Sequence, residues 1–125
     1  MTNVTLVLEG EKPNSMNIFY GGKATGWKRQ QLAETAHQLI ALAVHEYEAT
    51  HGPIYLGFPV AITYTVYFKD ERRRDCDNVA VKLYQDGLVH CQLLPDDSSK
   101  WVPDIGIRIR RDHERPRVEI QIEEL

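Results

Sequence analysis

The stretch from Asp75 to Asp97 reads DCDNVAVKLYQDGLVHCQLLPDD. Asp75 and Asp77 stand two residues apart and Asn78 follows. A mostly apolar run carries Lys82 and Asp86, and the stretch closes on the adjacent pair Asp96 and Asp97. Carboxylates crowded together repel and raise one another's pKa. A divalent cation removes that repulsion, and a hard ion such as Mg²⁺ takes one or two carboxylates and leaves its other positions to water and substrate phosphate. The pattern points to a metal site facing a phosphate, provided that the rest of the chain brings Asp97 up against Asp75 and Asp77.

The positioning elements follow from periodicity. Asp77 is a good N-cap for a helix from Asn78 to about Val89. Ala80, Leu83, Tyr84, Gly87 and Leu88 make its buried stripe, while Asn78, Lys82 and Asp86 share the polar face at successive i, i+4 steps. An ordinary amphipathic helix with a surface Lys–Asp pair explains Asp77 and Lys82, but it leaves Asp75, Asp96 and Asp97 unexplained.

Upstream, Val4 to Leu8 reads as a central or paired strand. A loop rich in glycine follows from Glu9 to Gly26, carrying Lys12, Pro13-Asn14-Ser15-Met16-Asn17, Tyr20 and Lys23. Loops of this length are functional or disordered. Trp27 to Thr50 has helical period, with Leu32, Ala36, Leu39, Ile40, Ala43 and Tyr47 on one stripe, and His51-Gly52-Pro53 ends it. Lys28 and Arg29 sit at its start, against the helix dipole, which suits residues that face an anion. Pro59 to Lys69 alternates as a long central strand, with Ile62, Tyr64, Val66 and Phe68 on one face. It runs out into Arg72, Arg73 and Arg74, directly before Asp75. As a charge run this is a solvated turn; beside a carboxylate site it offers phosphate a positive approach. Beyond Asp97, Ile105, Ile107 and Ile109 alternate with polar partners, as do Val118, Ile120 and Ile122. The short break at Asp112 to Pro116 suggests a hairpin.

Composition sets the frame. At 125 residues, 42% hydrophobic and 26% charged, the chain is expected to form a single domain over residues 1–125. No apolar run approaches the ~20 residues that span a bilayer, and the N-terminus lacks the basic start of a signal peptide. Cys76 and Cys91 are too few for a disulfide framework, so a cytoplasmic protein with reduced thiols is expected. The formal charge of −3 gives no support to nucleic-acid binding by itself. Setting aside Asp75, Asp77, Asp96 and Asp97, however, changes −3 to +1 and leaves the remainder weakly basic.

Taken together, these residues resemble the RusA family of Holliday junction resolvases. The family's order of motifs appears as Asp75-Cys76-Asp77-Asn78, Lys82, Asp86-Gly87-Leu88 and Asp96-Asp97, preceded by Pro13-Asn14-Ser15-Met16-Asn17 and Tyr20. The resemblance spans nearly the whole chain. One departure is that Lys82 follows Asn78 by one residue more than the family's lysine does. A helical residue advances by about 100°, so the lysine is moved off its face unless the helix starts one residue later or a π-bulge absorbs the insertion.

The resemblance implies an α+β fold, a mixed sheet packed against one long helix and one shorter site-bearing helix, in a homodimer. It implies hydrolysis of DNA phosphodiesters at four-way junctions, dependent on Mg²⁺ or Mn²⁺. Asp75, Asp77 and Asp97 would hold one or two metal ions, with Asp96 as a further ligand or a hydrogen-bond partner behind the ligands, and Lys82 would stabilise charge on the phosphate. Lys12, Asn17, Lys23, Lys28, Arg29, Arg72, Arg73 and Arg74 would hold the DNA. The alternative is a non-catalytic junction-binding relative that kept the fold. An EF-hand is excluded because Val79 stands where a ligand belongs and Ala80 where the required glycine should be. A glycosyltransferase Asp-x-Asp site is disfavoured because the chain is short and shows no glycine-rich phosphate loop. His37, His45, His51, His90 and His113 show no metal-ligand spacing and read as structural or solvated. Cys76, between aspartates that raise its pKa, reads as inert.

Overall fold

Apolar side chains at every second position need a sheet that covers one face, and the centre of that sheet is β2, Val60–Phe68. The computed structural model describes residues 2–10, 26–71 and 81–125. Ile62, Tyr64, Val66 and Phe68 of β2 are all buried on one face, as their alternation predicts. Three further strands complete a mixed four-stranded sheet: β1 (Asn3–Glu9), β3 (Asp104–Arg111) and β4 (Arg117–Glu124), in the order β1-β4-β2-β3. Strand β4 runs antiparallel to β1 and β2, and β3 runs parallel to β2. One row across the covered face reads Leu6, Ile120, Tyr64, Ile107. The first three are fully buried and Ile107 partly so, because β3 is an edge strand.

Helix α1, Gly26–His51, packs on that face through Ala36, Ile40 and Ala43, with Leu32, Leu39 and Tyr47 half-buried along the same stripe. Helix α2, Lys82–His90, lies in the crossover that the parallel pair β2 and β3 requires. It buries Leu83, Tyr84, Gly87 and Leu88, as its stripe predicts, and also Gln85. Its first hydrogen bonds are accepted by the Val81 carbonyl, and no π-turn interrupts it. The expected Asp77 cap and the turn from Asn78 lie outside the described residues. No helix among the described residues is long and apolar enough to cross a membrane.

The hairpin expected between the last two strands is not formed. Strands β3 and β4 lie on opposite sides of β2. Alternation marks a strand but does not name its partner. Val118, Ile120 and Ile122 are wholly buried and take the interior position, whereas β3, with Arg108 and Arg110 exposed, suits an edge. The connection passes the end of β2, where the Asp112 N–H donates to the Phe68 carbonyl (2.8 Å). Asp112 Oδ1 accepts from the backbone N–H groups of Glu114 (3.2 Å) and Arg115 (3.0 Å). Its Oδ2 pairs with Arg117 at 2.8 Å, and the Arg117 guanidinium lies 3.7 Å over the Tyr67 ring of the adjacent strand. These donors hold the Asp112 carboxyl below its ordinary range, the Arg117 hydrogen bond most of all.

Two local features fix where α2 begins its work and where it stops. A Cβ on Gly87 would come within 3.0 Å of Ile40 Cγ1 and 3.4 Å of Ile40 Cβ, so glycine lets the two helices approach. The helix ends in a Schellman turn: Leu93 N–H donates to Leu88 (3.0 Å) and Gln92 N–H to Val89 (3.0 Å), with Gln92 in the left-handed region at φ 67°.

Three outcomes follow. Gly87→Val should cost about 2 kcal/mol in urea unfolding, since Ile40 is fixed in the core. Gln92→Gly should raise stability by about 0.5–1 kcal/mol by relieving the left-handed backbone. Because Asp112 has a depressed folded-state pKa, its contribution is present above the ordinary value of 3.8 and is lost as pH falls below it. Asp112→Asn should therefore flatten the acid side of the stability–pH curve while lowering stability at neutral pH.

Candidate active site

The Schellman turn reverses the chain after α2 and returns Asp96 and Asp97 to the flank of the same helix. There Asp86, Asp96 and Asp97 line a cavity of about 310 Å³, together with His37, Val89 and His90. Asp96 and Asp97 are exposed and Asp86 is half-exposed. Among the described residues no cation pairs with Asp96 or Asp97. The Tyr64 hydroxyl has its pKa raised well above the ordinary value, first by burial, then by Asp86 and Asp97. The hydroxyl donates to the Gln85 carboxamide oxygen.

Exposed acidic oxygens lining one cavity, those of Asp96 and Asp97 with no cation paired to them among the described residues, are the donor chemistry that a hard divalent cation takes. The described part of the set is incomplete, since among the described residues no three His, Cys, Asp or Glu side chains converge closely enough to hold an ion. Asp75 and Asp77, expected to complete it, lie outside the described residues. So do Lys12, Asn17, Lys23, Arg72, Arg73 and Arg74. Lys28 and Arg29 fall in the first turn of α1.

Lys82 is held on the exposed polar face of α2, with Nζ 3.5 Å from Asp86 Oδ1, the side chains being 56% and 43% exposed. An exposed i, i+4 pair is worth only about 0.3–0.5 kcal/mol. Little therefore opposes transfer of the ammonium from Asp86 to a bound phosphate.

Two pairs of residues carry no signal in the sequence. His37 of α1 and His90 of α2 stack across the helix–helix contact, with ring centroids 4.6 Å apart and planes at 18°. His37 Nε2 is buried without a hydrogen-bond partner among the described residues. The second pair is Tyr64 and Gln85, whose hydroxyl and carboxamide oxygen are hydrogen-bonded in the core. His90 follows Asp86 by four residues and so shares its face, a hint available in advance. Nothing in the sequence joins the other three. A larger cavity of about 410 Å³ beyond the end of α2, lined by Ile54, Tyr55, Phe58, Leu93, Leu94 and Pro95 among others, holds no carboxylate and is no candidate for this chemistry.

The profile of the endodeoxyribonuclease RusA family matches residues 19–123, nearly the whole chain. No curated protein matches it in sequence.

If Lys82 is free to leave Asp86, its loss should touch function and not folding. Lys82→Met should change the unfolding free energy by less than about 0.5 kcal/mol, measured by denaturant titration, while weakening binding to a phosphate-bearing ligand.

Proposed function

Because this chain belongs to the RusA family of endodeoxyribonucleases, we propose that it is a Mg²⁺-dependent, structure-selective nuclease that resolves four-way DNA junctions by paired nicks. The observation that carries the reading is the carboxylate-lined cavity of Asp86, Asp96 and Asp97 in a chain matched by this family from residue 19 to 123.

In this reading Asp75, Asp77 and Asp97 hold the metal, with Asp96 as a further ligand. The bound ion supplies a polarised phosphate and a water of lowered pKa. The protein's own part is placement. The turn after α2 presents Asp97 to the cavity, and Lys82 at the start of α2 meets charge that builds on the phosphate. Lys12, Asn17, Lys23, Lys28, Arg29, Arg72, Arg73 and Arg74 grip the DNA backbone without reading sequence. A two-fold homodimer sets two such sites against a junction of near two-fold symmetry, which pairs the nicks.

The test compares an end-labelled, mobile four-way junction with linear duplex of the same sequence, in Mg²⁺ and in EDTA. The expected result is symmetric nicking of the junction alone, only with metal. Asp77→Asn and Asp97→Asn should each lose on the order of a hundredfold or more in rate, since a ligated ion supplies several kcal/mol of transition-state stabilisation. Junction binding in EDTA should be unchanged. An Asp77→Asn variant that cuts at full rate sinks the metal assignment. Tight binding with no cleavage in any divalent metal marks a non-catalytic relative, and neither binding nor cleavage means another substrate.

A further inference from the structure

Strand β3 stands at one end of the sheet, and among the described residues no strand lies beyond it. A free edge presents a row of backbone N–H and C=O groups, a template for one more strand. Ile105, Ile107 and Ile109 lie on the face that the helices cover further in, since they pair with Ile62, Tyr64 and Val66 of β2. Their cover is incomplete: Ile105 is 48% exposed, and Ile107 and Ile109 are only partly buried. On the opposite face Asp104, Arg108 and Arg110 are exposed, with the carboxylate near one end of the strand and Arg110 near the other. None of the three pairs with an opposite charge among the described residues.

Laid antiparallel against a second β3, this strand is complementary to itself. With Ile107 of both copies on a two-fold axis, Ile105 faces Ile109 of the other copy, Gly106 faces Arg108 and Asp104 faces Arg110. One face of the seam is then isoleucine throughout, and each end of it brings a carboxylate opposite a guanidinium. Glycine at 106 leaves room for the Arg108 stem. Moving the axis to Arg108 sets like charges face to face, which is unfavourable. Moving it to Gly106 shortens the pairing and leaves Arg110 without a partner. We propose that β3 is the seam of a two-fold dimer, in which two copies of this chain pair antiparallel about Ile107 and their sheets become continuous. The occupant is a second copy because one strand supplies both halves of every pair, as a two-fold contact demands. Added strands take affinity from main-chain hydrogen bonds and specificity from alternate side chains. The inference rests on the reading above for its homodimer and names the surface that joins it.

The test reverses the charges. Asp104→Arg and Arg110→Asp each set like charges opposite one another at both ends of the seam, whereas Asp104→Arg/Arg110→Asp restores opposite charges in the reverse sense. Both positions are exposed, and folding is checked by circular dichroism. Sedimentation equilibrium over a micromolar dilution series gives the dimer dissociation constant, and junction cleavage in Mg²⁺ is measured beside it. The expected result is a dimeric parent, a dissociation constant raised at least about tenfold in each single variant, and recovery to within about threefold of the parent in the double variant. A monomeric parent, single variants that dimerise as tightly as the parent, or a double variant that recovers nothing each overturn the seam. Junction cleavage by the parent in any of those cases leaves the nuclease reading standing. The expected series in a chain that cuts no junction upholds the seam and sinks the nuclease reading.

Discussion

The approach of the two helices at Gly87 governs the geometry around the candidate site. A helix as short as α2 has little stability of its own in water and is held by what it packs against. Ile40 of α1 fills the space that a side chain on Gly87 would occupy, and the gap left for a Cβ is only 3.0 Å. With that contact made, Leu83, Tyr84 and Leu88 reach the core, and Gln85 comes down onto Tyr64. The face left over carries Lys82, Asp86 and His90. The exposure of the acidic flank is thus a consequence of core packing on the opposite side of the same helix. The stacking of His37 on His90 across the same contact shows how close the helices lie beside the cavity.

Electrostatics adds a second constraint. Acidic side chains that line one cavity are an expense for folding unless something positive answers them. Several carboxylates elsewhere in the described structure are answered. Asp112 and Glu119 both engage Arg117, Glu9 engages Arg115, and Glu71 engages Arg111 at 2.7 Å. Asp96 and Asp97 differ from these, and Asp86 has only a weak surface pairing with Lys82. What sets Asp86, Asp96 and Asp97 apart from other exposed acidic positions is that they line one cavity together, an observation independent of the family match.

What could be read from the sequence was what depends on neighbours along the chain. Alternation in β2 placed Ile62, Tyr64, Val66 and Phe68 on one face, and the spacing of Ala36, Ile40 and Ala43 gave the buried stripe of α1. Asp96 and Asp97 stood out in the sequence because an amphipathic helix left them unexplained, whereas Asp86 read as half of a surface Lys–Asp pair and its place on the same cavity was not foreseen. Partnership across the chain was not legible. The alternation of Val118, Ile120 and Ile122 is compatible with any neighbouring strand, and the short link at Asp112 to Pro116 favoured the wrong one. Insertion of β2 between β3 and β4 follows from burial demand and from Asp112 bridging the end of β2, which appear only once the sheet is assembled. For the same reason nothing in the sequence marked Gln85 as buried. Its burial depends on a tyrosine hydroxyl on another element.

The one-residue displacement of Lys82 from the family's spacing has less force once its location is known. Displacement by about 100° matters most for a short side chain in mid-helix, whose direction is set by the helix axis. Lys82 is the first residue of α2, and its stem has four rotatable methylenes. Its ammonium already reaches one turn along the helix to Asp86, a residue that lines the cavity. A charge that can reach a cavity residue through a weak, exposed pairing is within range of a ligand there. What fixes its usefulness is the placement of the cavity's acidic wall relative to the start of α2, and that placement is set from beneath, by Gly87 against Ile40 and by Gln85 on Tyr64.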